Sequence, residues 1–268
     1  MNTSENLILV VGSTGGVGQL VVSKLLEKGL PVRILTRNAE KAAKMFNDNV
    51  EIAAGDICEP SSLTAAMVNI TSIICCTGTT AFPSARWEFN QTPNIFELGL
   101  AIFNPHFLED KAKSTPTKVD TQGVINLISA APKNLNRFVF VSSCGILRKY
   151  QFPFNILNLF GVLDAKEKGE QAIINSGIPY TIIRPGRLTD GPYTSYDLNT
   201  LLTATSKGKL NIIFGKGDTI SGDTSRIDVA ATCVESLFYQ SSVNKVFEIV
   251  NQGNRPTIID WQNLFSQL

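Results

Sequence analysis

The sequence predicts an α/β fold, a doubly wound parallel sheet with helices on both faces. Short apolar runs alternate with amphipathic runs over most of the first 184 residues, which is the pattern of successive βαβ units. The first apolar run leads through a glycine-rich turn into an amphipathic run. The 268 residues suffice for one large domain with a sizeable core, so we expect residues 1–268 to form a single domain with a small C-terminal cap.

Six strands are expected in the alternating part, at Leu7–Val11, Val32–Thr36, Val50–Ala54, Ser72–Cys76, Phe138–Ser142 and Tyr180–Arg184. Five helices are expected between them, at Val17–Lys28, Ala39–Phe46, Ser61–Met67, Lys118–Ala131 and Asp164–Ser176. Gly29 and Gly177 directly follow the first and the last of these helices, where glycine commonly ends a helix. A later apolar run, Val246–Val250, is expected to add a strand at the sheet edge.

Two segments interrupt this alternation. Within Ala81–Thr117, the stretch Asn94–Ser114 looks like an insert that concentrates apolar side chains. Long insertions are often lids or contact surfaces, and an extra helix packed on the body explains the pattern as well. We expect one apolar face of this insert to pack beside the cleft and another to be available to a protein partner or a second copy of the chain. The second segment, Pro185–Asp228, is expected to form the cap.

Composition excludes several classes of function. A net charge of +1 gives no electrostatic basis for binding nucleic acid or an anionic membrane surface, and no apolar run approaches the ~18–20 residues of a membrane span. The first strand begins so early that we expect no signal or transit peptide. The five cysteines form no C-x-x-C motif and are expected to be free thiols in a reducing compartment. The single histidine, His106, excludes a multi-histidine metal site, and we expect no metal.

The glycine-rich turn is the most informative motif. Gly12, Gly15 and Gly18 have the spacing G-x-x-G-x-x-G between a predicted strand and a predicted helix, which is the context of a Rossmann-type dinucleotide-binding loop rather than of a turn without a ligand. The first glycine permits the tight turn, the second lets the backbone approach a ligand, and the third lets the helix pack on the strand. Free N–H groups and the helix dipole favour a pyrophosphate here. The expected contacts are Gly12, Ser13, Thr14, Gly15, Gly16, Val17 and Gly18.

Residues after the next three strands indicate which dinucleotide binds. Arg37 follows the second strand, where an acidic residue would bind the ribose of NAD(H) and an arginine accommodates the 2′-phosphate of NADP(H). We therefore expect NADP(H), with a solvated surface charge as the alternative for Arg37. Asp56, with Ile57 beside it, is expected to bind the adenine amino group or to cap the next turn. Thr77 and Gly78 end the fourth strand, where small residues let the backbone pass the cofactor.

The glycine motif, Gly55-Asp56, Val141–Ser143 and Pro179–Gly186 occur together in this chain. The combination resembles the atypical short-chain dehydrogenase/reductase family, in its NmrA-like, NAD(P)H-binding subgroup of plant plastids and cyanobacteria. The resemblance covers nearly the whole chain except Asn94–Ser114. It implies a Rossmann-type fold, an NAD(P)H cofactor and a place in the cyanobacterial cytoplasm or, as a mature chain, in the plastid stroma. Some relatives are reductases of flavins, biliverdin or phenylpropanoids, and others are assembly factors of photosynthetic complexes.

The resemblance also implies a catalytic set of Ser, Tyr and Lys, with the Tyr four residues before the Lys. Lys166 matches the lysine and is expected to bind the nicotinamide ribose, but Val162 stands where the tyrosine would relay a proton. Ser142 and Ser143 match the serine at the end of the fifth strand. We expect Ser142 to contact the cofactor and Ser143 to act in catalysis.

A proton donor must then come from elsewhere. Tyr193 is the first candidate, and Tyr196 and Tyr150 are the others, although an acceptor such as a flavin can take a hydride with solvent as the proton source. Residues after the sixth strand are expected to border the nicotinamide, in part through backbone groups; they are Pro185, Gly186 and Arg187.

Two functions fit these observations. The retained Ser143 and Lys166 and the predicted cap favour an NADPH-dependent oxidoreductase that acts on a conjugated or aromatic small-molecule acceptor. The missing tyrosine favours a non-catalytic NADP(H)-binding protein that serves as a scaffold, a redox sensor or an assembly factor for photosynthetic complexes.

Overall fold

The structure, a computed structural model, describes residues 6–83, 87–108, 110–190 and 209–268, with the backbone alone at residues 102, 103, 105 and 106. Its strands are β1 Ile8–Val11, β2 Val32–Thr36, β3 Glu51–Ala54, β4 Ser72–Cys75, β5 Arg137–Val141, β6 Tyr180–Pro185, β7 Arg187–Thr189, β8 Leu210–Gly215, β9 Asp223–Ser225 and β10 Lys245–Asn254. Its helices are α1 Gly16–Glu27, α2 Ala39–Phe46, α3 Ile95–Phe103, α4 Val124–Ala130, α5 Phe154–Leu157, α6 Val162–Asn175, α7 Arg226–Glu235 and α8 Trp261–Ser266. The predicted α/β alternation is confirmed.

Eight of the strands form one sheet, in the order β3-β2-β1-β4-β5-β6-β10-β8. β1 pairs in parallel with both β2 and β4, and parallel pairing continues from β2 to β3 on one side and through β5 and β6 to β10 on the other. The edge strand β8 runs antiparallel to β10. Because the strand order reverses between β1 and β4, the carboxyl ends of these two strands open a crevice, where ligands bind in doubly wound sheets.

Successive residues of each inner strand enter two apolar layers, one on each face of the sheet. In β1, Val10 packs in the layer that contains Leu20 of α1. Its neighbour Leu9 packs in the layer that contains Val124 of α4. Both faces are therefore covered, which explains why the first strand is a continuous apolar run rather than an alternating one.

The strand predicted at Val246–Val250 is present in β10, but its predicted place at the sheet edge is wrong. β10 lies between β6 and β8, and its residues from Phe247 to Val250 are at most 3% exposed. Glu248 interrupts the apolar run and is itself buried, 3.8 Å from Arg184 on β6. Burial raises the pKa of its carboxyl. β10 lies inside the sheet because β8, which comes earlier in the chain, pairs along its outer side.

Two predicted helices take other forms. The segment Ser61–Met67 forms two 3₁₀ turns, Pro60–Ser62 and Thr64–Met67. The hydroxyl of Ser62 accepts the N–H of Asp56 at 2.9 Å, a local bond that competes with helix formation. The helix predicted at Lys118–Ala131 begins as a π-helix, Thr117–Gly123, and continues as α4.

The π-helical turn is packed tightly against α6. At Gly169 of α6, a Cβ atom would lie 2.3 Å from the carbonyl oxygen of Asp120, so only glycine fits at this contact. Thr121 donates its hydroxyl to the carbonyl of Ala165 at 2.9 Å. These contacts bring Asp120 beside the lysine that follows Ala165.

The insert packs on the body through one face of α3. A capping box formed by Asn94 and Glu97 starts this helix. Ala101 on the inner side belongs to a separate apolar cluster built around Trp87 and Phe160. On the outer side, Ile95 and Phe96 are 89% and 74% exposed, so the helix has one packed face and one exposed apolar face.

Part of the predicted cap belongs to the main sheet. β8 lies in the segment assigned to the cap, yet it pairs with β10 along the sheet edge, and its Ile212 and Phe214 pack in the apolar layer that contains Leu20 of α1. β7 and β9 pair in parallel as a separate two-stranded sheet directly after β6. The cap residues 191–208, which include Tyr193 and Tyr196, lie outside the described residues. Among the described helices, none combines the length and apolar character needed to cross a bilayer.

Candidate functional site

Gly12 and Gly18 hold the turn after β1 in close contact with its neighbours. Gly12 has a φ of +77°, and a Cβ there would lie 2.8 Å from the backbone of both Cys76 and Thr77 after β4. At Gly18, a Cβ would lie 2.1 Å from the carbonyl oxygen of Gly12. The first glycine therefore joins the ends of β1 and β4, and the third lets α1 pack on the turn, which is what the motif requires.

Gly15 leaves the N-terminus of α1 open. It is the residue that caps α1, it has an ordinary φ of −84°, and no side chain caps the helix there. The first N–H groups of a helix have no partner within the helix. The hydroxyl of Ser13 is fully buried and has no hydrogen-bond partner among the described residues. An uncapped helix N-terminus beside an unpaired buried hydroxyl fits the pyrophosphate of a dinucleotide.

Lys166 of α6 reaches the backbone that follows β4. Its ammonium donates to Asp120 Oδ1 at 2.8 Å, and the side chains of the pair are 10% and 0% exposed. Asp120 Oδ2 accepts the N–H of Thr79 at 3.1 Å and its hydroxyl at 2.6 Å. A Cβ at Gly78 would lie 3.1 Å from Lys166 Nζ, so the ammonium borders the backbone that is predicted to pass the cofactor.

The two predicted serines differ in their hydrogen bonds. Ser142 is 5% exposed, and its hydroxyl has no partner among the described residues. Ser143 donates its hydroxyl to the carbonyl of Cys144 at 3.0 Å. Val162 is buried at the start of α6 in a small apolar cluster, and Tyr150 is 80% exposed. The catalytic role of Ser143 and the proton-donor role of a tyrosine stay predictions.

The segment after β6 is held mainly by protein contacts. Pro185 ends β6, and the N–H of Gly186 lies 3.1 Å from the carbonyl of Ile249 and 2.9 Å from the hydroxyl of Thr224. Arg187 forms an exposed ion pair with Asp223 at 2.8 Å. The N–H of Gly186 thus already has partners in the protein, and the contacts of Pro185, Gly186 and Arg187 with the nicotinamide stay predictions.

Arg37 follows β2 as predicted, but it is already paired. Its Nη1 atom lies 2.7 Å from Glu88 Oε1 and 3.9 Å from Asp56 Oδ2. Asp56 also accepts the N–H of Cys58 at 2.9 Å, so it caps the next turn, the second of its two predicted roles. Ile57 is 6% exposed and packs in the core. The structure thus brings two carboxylates to the arginine that was predicted to meet the 2′-phosphate.

The cysteines nearest the crevice have raised pKa values and hold their thiols protonated near neutral pH. The neighbouring Cys233 thiol, together with burial, raises the pKa of Cys76 well above that of a free thiol. Burial and the nearby Asp218 carboxylate raise the pKa of Cys144 to about 12. Nucleophilic catalysis by either thiol is therefore disfavoured near neutral pH.

Three residues of the site were missed by the sequence analysis. Asp120 reads as an ordinary polar residue of a helix, and Glu88 lies in the irregular segment before the insert. Arg226, at the start of α7, is 4% exposed, and its side chain lies against Gly16, where a Cβ would be 3.1 Å from Arg226 Nε. Of the three, Arg226 could have been noticed in the sequence, because it stands at the start of the mostly uncharged run Arg226–Val234. Each of the three reaches the site from a distant part of the chain.

Comparison with known proteins gives a consistent result. A family described as NAD(P)H-binding matches residues 12–240. Sanguinarine reductase of Eschscholzia californica is 29% identical, with 97% of this chain and 95% of that protein covered. Protein TIC 62 of Pisum sativum, a chloroplast protein, is 30% identical, with 94% of this chain and 44% of that protein covered. Photosystem II assembly factor Ycf39 of Synechocystis is 27% identical, with 72% of this chain and 48% of that protein covered.

The chain thus spans less than half the length of the last two relatives. Among solved structures, the oxidoreductase ylbE of Lactococcus lactis aligns with a TM-score of 0.66 and 21% identity. The alignment covers 98% of this chain and 96% of that one, which shows that the two proteins share a fold.

Proposed function

The chain belongs to the NAD(P)H-binding family, and from this premise we propose that it is an NADPH-dependent oxidoreductase acting on a conjugated or aromatic acceptor. The observation that carries the proposal is the buried Lys166–Asp120 pair beside Gly78. A lysine held at this point can donate hydrogen bonds to the hydroxyls of the nicotinamide ribose. The reductase among the relatives, 29% identical over nearly the full length of both chains, supports the same assignment.

We propose that the chain's own groups contact the cofactor in three places. The glycine loop and the Ser13 hydroxyl would bind the pyrophosphate, Arg37 the 2′-phosphate, and Lys166 the nicotinamide ribose. When bound, the dinucleotide supplies a hydride to the acceptor. Ser142, whose buried hydroxyl has no partner in the described part of the chain, would bind the cofactor or the acceptor at the end of β5.

The absence of a tyrosine at Val162 restricts the acceptor. A carbonyl substrate needs a positioned acid to protonate the developing alkoxide. A conjugated or aromatic acceptor spreads the charge of the added hydride over its ring system, so that solvent can supply the proton. We propose this second class, with Tyr193 as the candidate donor if one of the chain's own residues takes part.

We further propose that the preferred cofactor is NADP(H). The Arg37–Glu88 pair is exposed, and such pairs contribute about 0–1 kcal/mol, so a phosphate can displace the carboxylate. Replacing Arg37 by alanine is expected to weaken NADPH binding by about 1.5–3 kcal/mol and to leave NADH binding nearly unchanged. Titration calorimetry with both cofactors checks this, with Lys44→Ala, an exposed cation in the last turn of α2, as the control. Equal losses for NADPH and NADH would reject the 2′-phosphate contact.

A non-catalytic role is the second candidate, and the exposed apolar face of α3 favours it. Exposed patches of this kind commonly contact other proteins, and the assembly factor among the relatives is compatible with such a role. Replacing Ile95 and Phe96 together by serine is expected to leave NADPH affinity unchanged and to abolish contact with a partner or a second copy through this face. Sedimentation of the full chain and cofactor titration measure the two effects. A loss of cofactor affinity would show that α3 belongs to the cleft instead.

Turnover separates the two candidates. The full chain is mixed with NADPH and a panel of flavins, quinones and tetrapyrroles, and NADPH oxidation is followed by absorbance. An acceptor that is reduced faster with the chain than without it supports the oxidoreductase. Tight NADPH binding with no oxidation across the panel supports the scaffold or redox sensor.

The relatives also bear on location. TIC 62 is a chloroplast protein and the Ycf39 relative is cyanobacterial. We propose that this chain works in the plastid stroma or in the cyanobacterial cytoplasm, which fractionation of the source cells with an antibody against the chain would test.

A further inference from the structure

The partner of Arg37 comes from outside the strands and helices that build the nucleotide site. Glu88 lies in the irregular segment between β4 and α3, and its Oε1 atom is 2.7 Å from Arg37 Nη1. The second carboxylate, that of Asp56, is farther away at 3.9 Å. Glu88 therefore lies at the head of the arginine, where the 2′-phosphate of NADP(H) would bind.

Glu88 is held in place by its backbone and by a buried neighbour. Its carbonyl accepts the N–H of Lys113 at 3.1 Å, and the carbonyl of Trp87 accepts the N–H of Ser114 at 3.1 Å. Trp87 is 1% exposed and meets the ring of Phe160 edge to face, with centroids 6.1 Å apart. The anchored backbone fixes the position of Glu88, while its side chain, 40% exposed, is able to turn away from Arg37.

We propose that Glu88 reduces the preference of the site for NADP(H) over NAD(H). It competes with the 2′-phosphate of NADP(H) for Arg37, and it accepts hydrogen bonds from the ribose hydroxyls when NAD(H), which has no 2′-phosphate, is bound. The proposal rests on the proposed function, because it places the adenosine ribose at the end of β2. Arg37 carries one positive charge, and Glu88 and Asp56 carry one negative charge each, so the net charge of these three side chains is −1. The two carboxylates weaken the attraction of Arg37 for a doubly negative phosphate, whereas a ribose hydroxyl donates a hydrogen bond to a carboxylate.

The competition is expected to be reversible rather than a block. The carboxylate–guanidinium pair is partly exposed and therefore weak, and a phosphate forms the stronger, charge-assisted contact with arginine. NADP(H) displaces Glu88 at a cost in affinity, and NAD(H) binds without displacing it. The site then binds both cofactors, and Glu88 reduces the preference for NADP(H) over NAD(H) that Arg37 alone would give.

The test is the substitution Glu88→Gln in the full chain, with dissociation constants for NADP⁺ and NAD⁺ measured by calorimetry. Removing one charge a few ångströms from a doubly charged phosphate is expected to tighten NADP⁺ binding about tenfold, without tightening NAD⁺ binding. High salt is expected to reduce this gain, since the pair is exposed. The matched control is Glu59→Gln, which removes the same charge from an exposed residue on the turn after β3 and is expected to change the ratio less than about twofold.

The outcomes distinguish the proposed role of Glu88 from the proposed function on which it rests. If the unaltered chain binds neither cofactor, both proposals are overturned. If it binds NADP⁺ and loses that affinity in Arg37→Ala, but Glu88→Gln leaves the ratio of the two affinities unchanged, only the role of Glu88 is overturned. A tenfold shift of the ratio that Glu59→Gln does not reproduce supports it.

Discussion

Replacing Gly15 by valine is expected to abolish dinucleotide binding and to leave the fold nearly intact. The φ of −84° and ψ of 168° at Gly15 suit a β-branched residue, and a Cβ would approach only the carbonyl oxygen of Gly12, at 3.2 Å. The loss of glycine at the helix cap costs about 0.5–1 kcal/mol. The two methyl groups, however, fill the space in front of the helix N-terminus that the pyrophosphate needs. We expect affinity to fall at least about 100-fold, which corresponds to roughly 2.7 kcal/mol.

Calorimetry and circular dichroism measure the two parts of this expectation. The neighbouring glycine provides the contrast, because a Cβ at Gly18 would lie 2.1 Å from the carbonyl oxygen of Gly12. The variant Gly18→Ala should therefore lose stability itself, since backbone must move to accept the methyl group. Native-like affinity in Gly15→Val would mean that the loop does not approach the phosphates.

The parts of the fold that depend on local pattern could be predicted from the sequence. β1, β2 and α2 lie within one residue of their predicted bounds, because a buried apolar run or an amphipathic period depends only on neighbouring residues. The glycine loop belongs to the same class, since its strand, turn and helix are contiguous. The insert's two faces could also be anticipated, because its apolar residues are too many for one stripe along a helix.

The parts that depend on distant pairing could not be predicted. β10 enters the sheet interior because it pairs with β6 and β8 at once, and no feature of its own sequence specifies those neighbours. The buried carboxyl of Glu248 likewise meets a residue of another strand, since Arg184 of β6 lies 3.8 Å from it. In the same way, Arg37 was correctly placed after β2, but Glu88, which pairs with it, lies 51 positions further along the chain.

The Lys166–Asp120 pair shows the same limit at the centre of the site. Lys166 could be singled out by its resemblance to the family lysine, whereas Asp120 pairs with it across 46 positions. The π-helical turn that brings Asp120 to α6 has no recognised sequence signal, and Gly169 explains the contact only once the packing is known. A lysine predicted to act on the cofactor thus also has a structural partner.

Because Lys166 both pairs with Asp120 and is proposed to bind the cofactor, the substitution Lys166→Met is expected to lower the stability of the fold as well as cofactor affinity. Asp120 is 0% exposed, and removing one partner of a buried ion pair typically costs about 3–5 kcal/mol, because an uncompensated charge is left behind. The hydrogen bonds from Thr79 to Asp120 remain, so we expect the free energy of unfolding to fall by about 3 kcal/mol, the lower end of that range. Urea denaturation at neutral pH measures it. A loss below about 1 kcal/mol, the range of an exposed pair, would mean that water reaches the site.

The double variant Asp120→Asn/Lys166→Met separates structure from binding. Removing both charges leaves a neutral amide on the bonds of Thr79 and an apolar chain of similar length, so most of the lost stability should return. NADPH affinity should not return with it, because the ammonium that would bind the ribose hydroxyls is still missing. The NADPH affinity of the folded double variant, measured by calorimetry, therefore decides the role of Lys166. Native-like affinity there would show that the lysine only compensates a buried carboxylate, and the proposed contact with the nicotinamide ribose would be wrong.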